Sequence, residues 1–167
     1  MTRWARVGEL TVRRAVVADA AAMAAVHVAS WQETYRGLIS DDVLDDPEFV
    51  SRRERYWTAT IPAAVDGTDA IAVAERDGVI VGIASIGAPA DPDATWGAEV
   101  FVIYVLAREY GSGAGGMLLD ETLGTRPASL WVADPNPRAQ AFYRKHGFVP
   151  DGQTKNDGIA AIRMVRG

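Results

Sequence analysis

The densest concentration of chemically suggestive residues in this 167-residue chain is a glycine cluster, Gly111, Gly113, Gly115 and Gly116, which follows a β-prone run and opens an apolar helix. A loop in that setting turns backbone N–H groups toward an anion, and the missing Cβ atoms allow close approach and positive φ. A diphosphate is the ligand such a nest suits. Gly111, Gly113 and Gly116 also satisfy the G-x-G-x-x-G spacing of dinucleotide-binding folds. That fold sets its fingerprint after the first strand and needs several strand-helix units beyond it, and too little chain follows Gly116. No Gly-Lys-Ser or Gly-Lys-Thr occurs, so a Walker A cradle is excluded.

With no Cys and two His, the chain cannot build disulfides, thiolate zinc sites, Fe–S clusters or a cysteine nucleophile, and no metal site is expected. Net charge is −5, from 22 acidic and 17 basic residues, which lacks the basic footprint of a nucleic-acid binder. An acidic surface attracts small cations such as amines, although a charge of this size also serves solubility alone. The most apolar stretch, Ala20 to Ala29, is too short to span a bilayer and contains His27, and Met1 to Leu10 has no apolar signal core. No membrane association and a cytoplasmic location are therefore expected.

Positioning these residues requires a scaffold that the hydrophobic spacing outlines. Thr11 to Ala15 reads as a first strand, and Asp19 opens an Ala-rich helix on which Met23, Val26, His27, Ser30, Trp31, Thr34 and Tyr35 share one face. Gly37 suits the end of that helix, Ser40 and Asp41 a short helix through Leu44, and Pro47 the first turn of another helix to about Thr60. Ala70 to Glu75 and Val79 to Ile86 form a hairpin through Asp77-Gly78, and Gly87 to Gly97 is a loop. Glu99 to Val105, almost continuously apolar, predicts a central strand covered on both faces. The glycine cluster and its helix follow, then a buried strand at Ser129 to Val132, a helix from Pro137 to His146 ended by Gly147, and a last strand from Ile159 to Val165. Hairpins mixed with strand-helix-strand units predict an α/β (α+β) domain over residues 11–167, after an N-terminal extension of residues 1–10.

Arg108-Glu109-Tyr110-Gly111-Ser112-Gly113 matches R/Q-x-x-G-x-G/A, and downstream stand Leu130-Trp131-Val132, Asn136, Ala139, Phe142-Tyr143 and Gly147-Phe148. The pair resembles, in order and separation, the two motifs of the GNAT superfamily of acyl-CoA-dependent N-acetyltransferases. The run His27, Ser30, Trp31, Thr34, Tyr35, Arg36, Gly37, Leu38 is similar to one bacterial branch of it. The resemblance covers residues 11–165 and implies a mixed, mostly antiparallel sheet of six to seven strands with about four helices. The family often has Pro where Ala107 stands and basic residues near Tyr110 and Ser112. Arg108 is then the one cation of the arm, and diphosphate affinity would rest on backbone amides and the helix dipole.

The resemblance implies acetyl-CoA as co-substrate, held by Arg108, Gly111, Ser112, Gly113, Ala114, Gly115 and Gly116 at its diphosphate. Backbone groups of Ile103, Tyr104 and Val105 would hold the pantetheine arm, with Asn136 contacting that arm or serving as a turn residue. Tyr143 is implied as general acid to the leaving sulfur, against a plain core aromatic, since a phenol is a hydroxyl donor at neutral pH. Glu99 stands where several members keep a catalytic carboxylate, and burial would raise its pKa; otherwise it is a solvated strand end. Trp31 and Tyr35 would border the acceptor groove or form the packing stripe of their helix. His27 is a further substrate-side candidate or a packing histidine. Asp41, Asp42, Asp45 and Asp46 are read as solvated caps, useful to a cationic acceptor. The expected reaction is direct attack by a primary amine of a small molecule or peptide in a ternary complex, since an acetyl-cysteine route is closed. The other reading is a non-catalytic acyl-CoA-binding sensor or partner module, and a homodimer is compatible with either.

Overall fold

A computed structural model describes residues 8–64 and 68–167. In chain order it contains β1 (Leu10–Arg14), α1 (Ala20–Tyr35), α2 (Asp41–Leu44), α3 (Phe49–Ala63), β2 (Ala70–Arg76), β3 (Val79–Gly87), β4 (Ala98–Val105), α4 (Ala114–Thr122), β5 (Ala128–Ala133), α5 (Pro137–Lys145), β6 (Val149–Asn156) and β7 (Ala160–Arg166). The seven strands form one sheet in the order β1-β2-β3-β4-β5-β7-β6, antiparallel throughout except for the β4–β5 pair. The fold class is the mixed α/β one expected, with five α-helices rather than about four.

Local sequence accounts for most of these elements. The Ala-rich α1 has high helix propensity and stops two residues before Gly37, whose φ is +87°. Asp77 and Gly78, with φ of 51° and 79°, close β2 and β3 through the two-residue turn that matches strand twist. At α5, Asn136 accepts from the Ala139 N–H at 3.3 Å, Pro137 fills the first helical position, and Gly147 follows at φ +89°.

One strand is absent from the sequence reading. β6 pairs with β7 as an antiparallel hairpin, and all eight of its residues are exposed, so it carries no alternating apolar signal. The last strand lies one residue later than expected, at Ala160–Arg166. Of the expected N-terminal extension, residues 1–7 lie outside the described residues, and β1 already begins at Leu10. No helix among the described residues is long and apolar enough to cross a membrane.

The core lies on both faces of the sheet in two clusters. Met23, Val26, Trp57, Ile83 and Val102 join α1 and α3 to the first half of the sheet, with Leu118 of α4 reaching it. Val100, Leu119, Leu130, Tyr143, Phe148 and Met164 join α4 and α5 to the second half. Each such side chain contributes about 1.5–3 kcal/mol by leaving water.

Candidate active site

The two halves of the sheet meet at β4 and β5, and they part there. Their pairing is three residues long, Ala98↔Ala128, Glu99↔Ser129 and Val100↔Leu130. Beyond it β4 stays with β3 and β5 stays with β7, so the edges Phe101–Val105 and Trp131–Ala133 lack partners in each other. A β-bulge sits at the point of divergence: Ile86 opposes Val100 and Ser85 opposes Val102, leaving Phe101 unpaired. Such an insertion bends a strand and shifts its alternation. Val100 thereby packs with α4 and α5, Val102 with α1, and Phe101 is left 46% exposed at the rim.

The wedge between the strands is a cleft of about 440 Å³. Of the residues singled out in the sequence, it brings together Trp31, Tyr35, Ile103, Tyr104, Val105, Gly111, Gly113, Ala114, Gly115, Gly116, Asn136 and Tyr143. His27, Glu99, Arg108 and Ser112 do not line it.

The glycines divide into two kinds. Gly111 and Gly113 have φ of +81° and +92°, and nothing stands within 4 Å of where a Cβ would be. Gly115 and Gly116 are instead pressed by α5: a Cβ would lie 3.1 Å from the Phe142 ring and 3.3 Å from His146. The first pair shapes the loop, and the second lets two helices approach, a packing demand that spacing did not reveal. The Ala114 N–H is taken by Ser112 Oγ at 3.2 Å, and Met117 is the first to find a backbone acceptor, at Gly113. The N–H groups of Gly115 and Gly116 have no acceptor among the described residues, as helix N-termini require of an anion cradle. Free N–H groups at a helix mouth are the donors a phosphoryl group calls for, and the positive φ of Gly111 and Gly113 shapes the loop that presents them. Ser112 thus occupies one N–H of the cradle with its side chain, and Arg108 is exposed and does not line the cleft.

Tyr143 is nine-tenths buried, lines the cleft, and its hydroxyl has no hydrogen-bond partner among the described residues. Burial raises its pKa well beyond that of a free phenol, with the nearby Tyr104 and Tyr35 adding to the effect, so it stays protonated at neutral pH. Tyr104 is likewise pushed up to about 12, chiefly by burial. Trp31 and Tyr35 stack edge-on at 5.2 Å, and both line the cleft.

Glu99 is 3% exposed, so the solvated alternative is excluded, yet it sits behind the cleft wall. The loop at 88–97 covers it, and the Ala90 N–H donates to its carboxylate at 3.3 Å. Burial raises its pKa and the neighbouring Asp91 adds to the shift, against Ala90, Lys155 and Arg163. His27 is corrected to a packing residue. Its ring lies edge-on to Tyr104 at 5.0 Å and 6.0 Å from both Trp31 and Trp57, and burial, then the charge of Arg53, lowers its pKa to about 3. Arg36 binds Asp41 at 2.9 Å and Asp45 at 2.8 Å, and Arg52 binds Asp46 at 2.8 Å, so three of the four acidic residues after α1 are engaged by cations.

Three arrangements had no signature in the sequence. Glu109, an acid in the glycine arm, is neutralised by Arg76 at 2.7 Å, which holds its carboxyl below the usual range. Arg138 of α5 lies across the Tyr110 ring. Arg163, 4% exposed, gathers Asp93 and Asp151 at 2.7 Å and Asp91 at 3.5 Å, and Asp91 accepts the indole N–H of Trp131 at 3.0 Å. That clamp ties the 88–97 loop and β6 to the wall of the cleft. All three join residues more than twenty positions apart, or pair charges that spacing leaves ambiguous.

Residues 67–150, half of the chain, match the family model described as an acetyltransferase (GNAT) domain. The chain belongs to the GNAT acetyltransferase family. It is 27% identical over 150 residues to a probable N-acetyltransferase of Mycobacterium tuberculosis, covering 87% of this chain and 83% of that protein. An uncharacterized N-acetyltransferase of Bacillus subtilis, YuaI, is 27% identical over 162 residues, covering 93% and 88%. Among solved structures, the PaiA N-acetyltransferase of Thermoplasma acidophilum, in complex with coenzyme A, superposes with a TM-score of 0.75 at 18% identity, covering 93% of this chain and 98% of that one. A putative acetyltransferase of Salmonella typhimurium, YncA, with acetyl-CoA, gives 0.67 at 22% identity, covering 94% and 92%. The GNAT protein described here is thus an acetyltransferase whose fold places the parted strands, the glycine arm and α5 around one cleft.

Proposed function

We propose that this GNAT protein takes acetyl-CoA into the cleft and transfers its acetyl group to a primary amine of a small molecule or peptide, by direct attack within a ternary complex. The observation that carries the reading is the divergence of β4 from β5 beyond Val100↔Leu130, which leaves two unpaired strand edges leading to the Gly111–Gly116 nest. An extended pantetheine chain with amide groups suits such an edge, as an added strand would. The PaiA and YncA structures, with coenzyme A and acetyl-CoA, support the choice of carrier.

Bound there, acetyl-CoA supplies a thioester carbonyl open to attack and a sulfur able to leave. The chain's own groups do the rest. Free N–H groups of the nest meet the diphosphate, and the edge Ile103–Val105 holds the arm in register, with the Asn136 side chain beside it. The Tyr143 hydroxyl, kept protonated by its surroundings, gives its proton to the departing sulfur. Trp31 and Tyr35, which line the cleft, hold the amine. Glu99, whose burial makes it a stronger base than a surface carboxylate, takes the proton of the incoming ammonium through bridging water, since its carboxylate does not itself line the cleft.

Calorimetry with acetyl-CoA, paired with thiol release across a panel of primary amines, tests this. Binding together with amine-dependent release supports it. Binding with no release above background from any amine replaces it with a sensor or partner module that keeps the cleft without turnover.

A further inference from the structure

A diphosphate cradle needs countercharge, and the arm that forms this one supplies none to the cleft. Arg108 is exposed and does not line it, while Glu109 lines it with a charge that Arg76 cancels at 2.7 Å. Two cations of α5 line the cleft from the other side, Arg138 in its first turn and Lys145 in its last, and Arg138 is the one that lies against the glycine arm. Arg138, in the first turn of α5, lines the cleft together with Tyr110, Gly111 and Gly113. Its guanidinium carbon lies 3.4 Å from the centre of the Tyr110 ring, and one of its terminal nitrogens donates to the Tyr110 hydroxyl at 2.7 Å. No acidic side chain pairs with it among the described residues.

We infer that Arg138 is the phosphoryl-recognising cation of this site and that Tyr110 is its positioning residue, the two together replacing the charge the glycine arm lacks. The inference rests on the acetyl-CoA reading above. A guanidinium carries five N–H donors in one plane, and the bond to Tyr110 uses one of them. Stacking on a ring face restrains that plane while leaving its other edge free, and restraint lowers the entropy lost when a phosphoryl oxygen binds. The Tyr110 ring of the arm aims a cation carried by α5, and the arm and α5 become one binding unit.

The ligand chemistry is a phosphoryl group of the coenzyme, and its two sources are separable. Calorimetry on the full chain would compare coenzyme A with 3′-dephospho-coenzyme A for wild type, Arg138→Gln, Tyr110→Ala and the double variant. Both residues are exposed, so the variants should keep the wild-type melting temperature. Arg138→Gln should weaken coenzyme A binding about ten- to thirtyfold and flatten its dependence on salt. Tyr110→Ala should cost about three- to tenfold in wild type and nothing further once Arg138 is changed, as expected of a residue acting through another. A penalty that persists with dephospho-coenzyme A assigns the contact to the diphosphate, and one that vanishes assigns it to the 3′-phosphate; either supports the inference. Coenzyme A binding by Arg138→Gln within twofold of wild type overturns it while leaving the proposed function intact. Independent penalties for the two substitutions overturn the positioning role of Tyr110. Failure of wild type to bind coenzyme A removes the underlying reading instead.

Discussion

Replacing Tyr143 by Phe removes a single oxygen and keeps the ring that packs against Phe142 at 5.2 Å and Phe148 at 5.9 Å. Because the hydroxyl has no protein partner among the described residues, its loss orphans no buried donor or acceptor, and the stability change should stay within about 1 kcal/mol. For a domain of this size that is at most about 4 °C in melting temperature. The effect on turnover should be much larger. A positioned general acid contributes typically 10²–10⁴-fold, so a loss of about a hundredfold, or about 2.7 kcal/mol of transition-state stabilisation, is expected. Thiol release would give kcat, calorimetry the acetyl-CoA affinity, and a thermal melt the stability. The raised pKa adds a second readout: wild-type kcat should show no loss from phenol ionisation up to pH 10. A variant turning over within threefold of wild type, with unchanged affinity, would refute the assignment of the leaving-group proton to Tyr143.

Glu99→Gln should flatten the acidic limb of the rate-versus-pH profile, because a carboxyl with a raised pKa is available as a base only above that value; a limb that persists unchanged returns Glu99 to a structural role. Gly113→Ala, which forces a Cβ onto φ +92° in open space, should weaken acetyl-CoA binding at least tenfold by calorimetry. Gly115→Ala, with a contact of 3.1 Å to Phe142, should instead lower stability by about 1–3 kcal/mol in denaturant melts. Equal effects of the two on binding and stability would contradict the division of labour among these glycines. Arg163→Met should destabilise by about 2–3 kcal/mol, since Asp91 and Asp151 lose their countercharge in a half-buried setting, less than the full cost of breaking a fully buried pair. Arg163 lowers the pKa of Asp93, so that ion pair's contribution is present above the ordinary carboxylate range and fades as pH falls below about 4. Urea melts at pH 7 and pH 3 should therefore find the penalty of Arg163→Met smaller at the lower pH.

The local order of this molecule is written in neighbours along the chain. Ala-rich spacing gives α1, Asp77-Gly78 gives the hairpin, Asn136-Pro137 starts α5, and glycines after an apolar strand give the nest, because each depends on backbone preferences acting over a few residues. The same locality explains what the sequence left unread. β6 offers no apolar alternation, and it forms because β7 supplies its hydrogen bonds. The bulge at Phe101 is a property of two strands in register, and it alone directs Val100 to one face and Val102 to the other. His27 shares a helical face with Trp31, yet aromatic rings of α3 and β4 bury it away from the cleft. Glu99 is buried, rather than solvated, because a loop pinned by the distant Arg163 closes over it.

Charge follows the same rule most clearly. Arg108 and Glu109 stand in the motif, but Arg76 cancels one and solvent takes the other, while Arg138, nearly thirty residues on, faces the opening. Residue type and spacing settled that there would be a nest of amides on a mixed sheet. Which cations and carboxylates serve it was decided by the packing of helices and loops against that sheet, because Coulomb energies depend on distances in space and on burial, neither of which is carried by position along the chain.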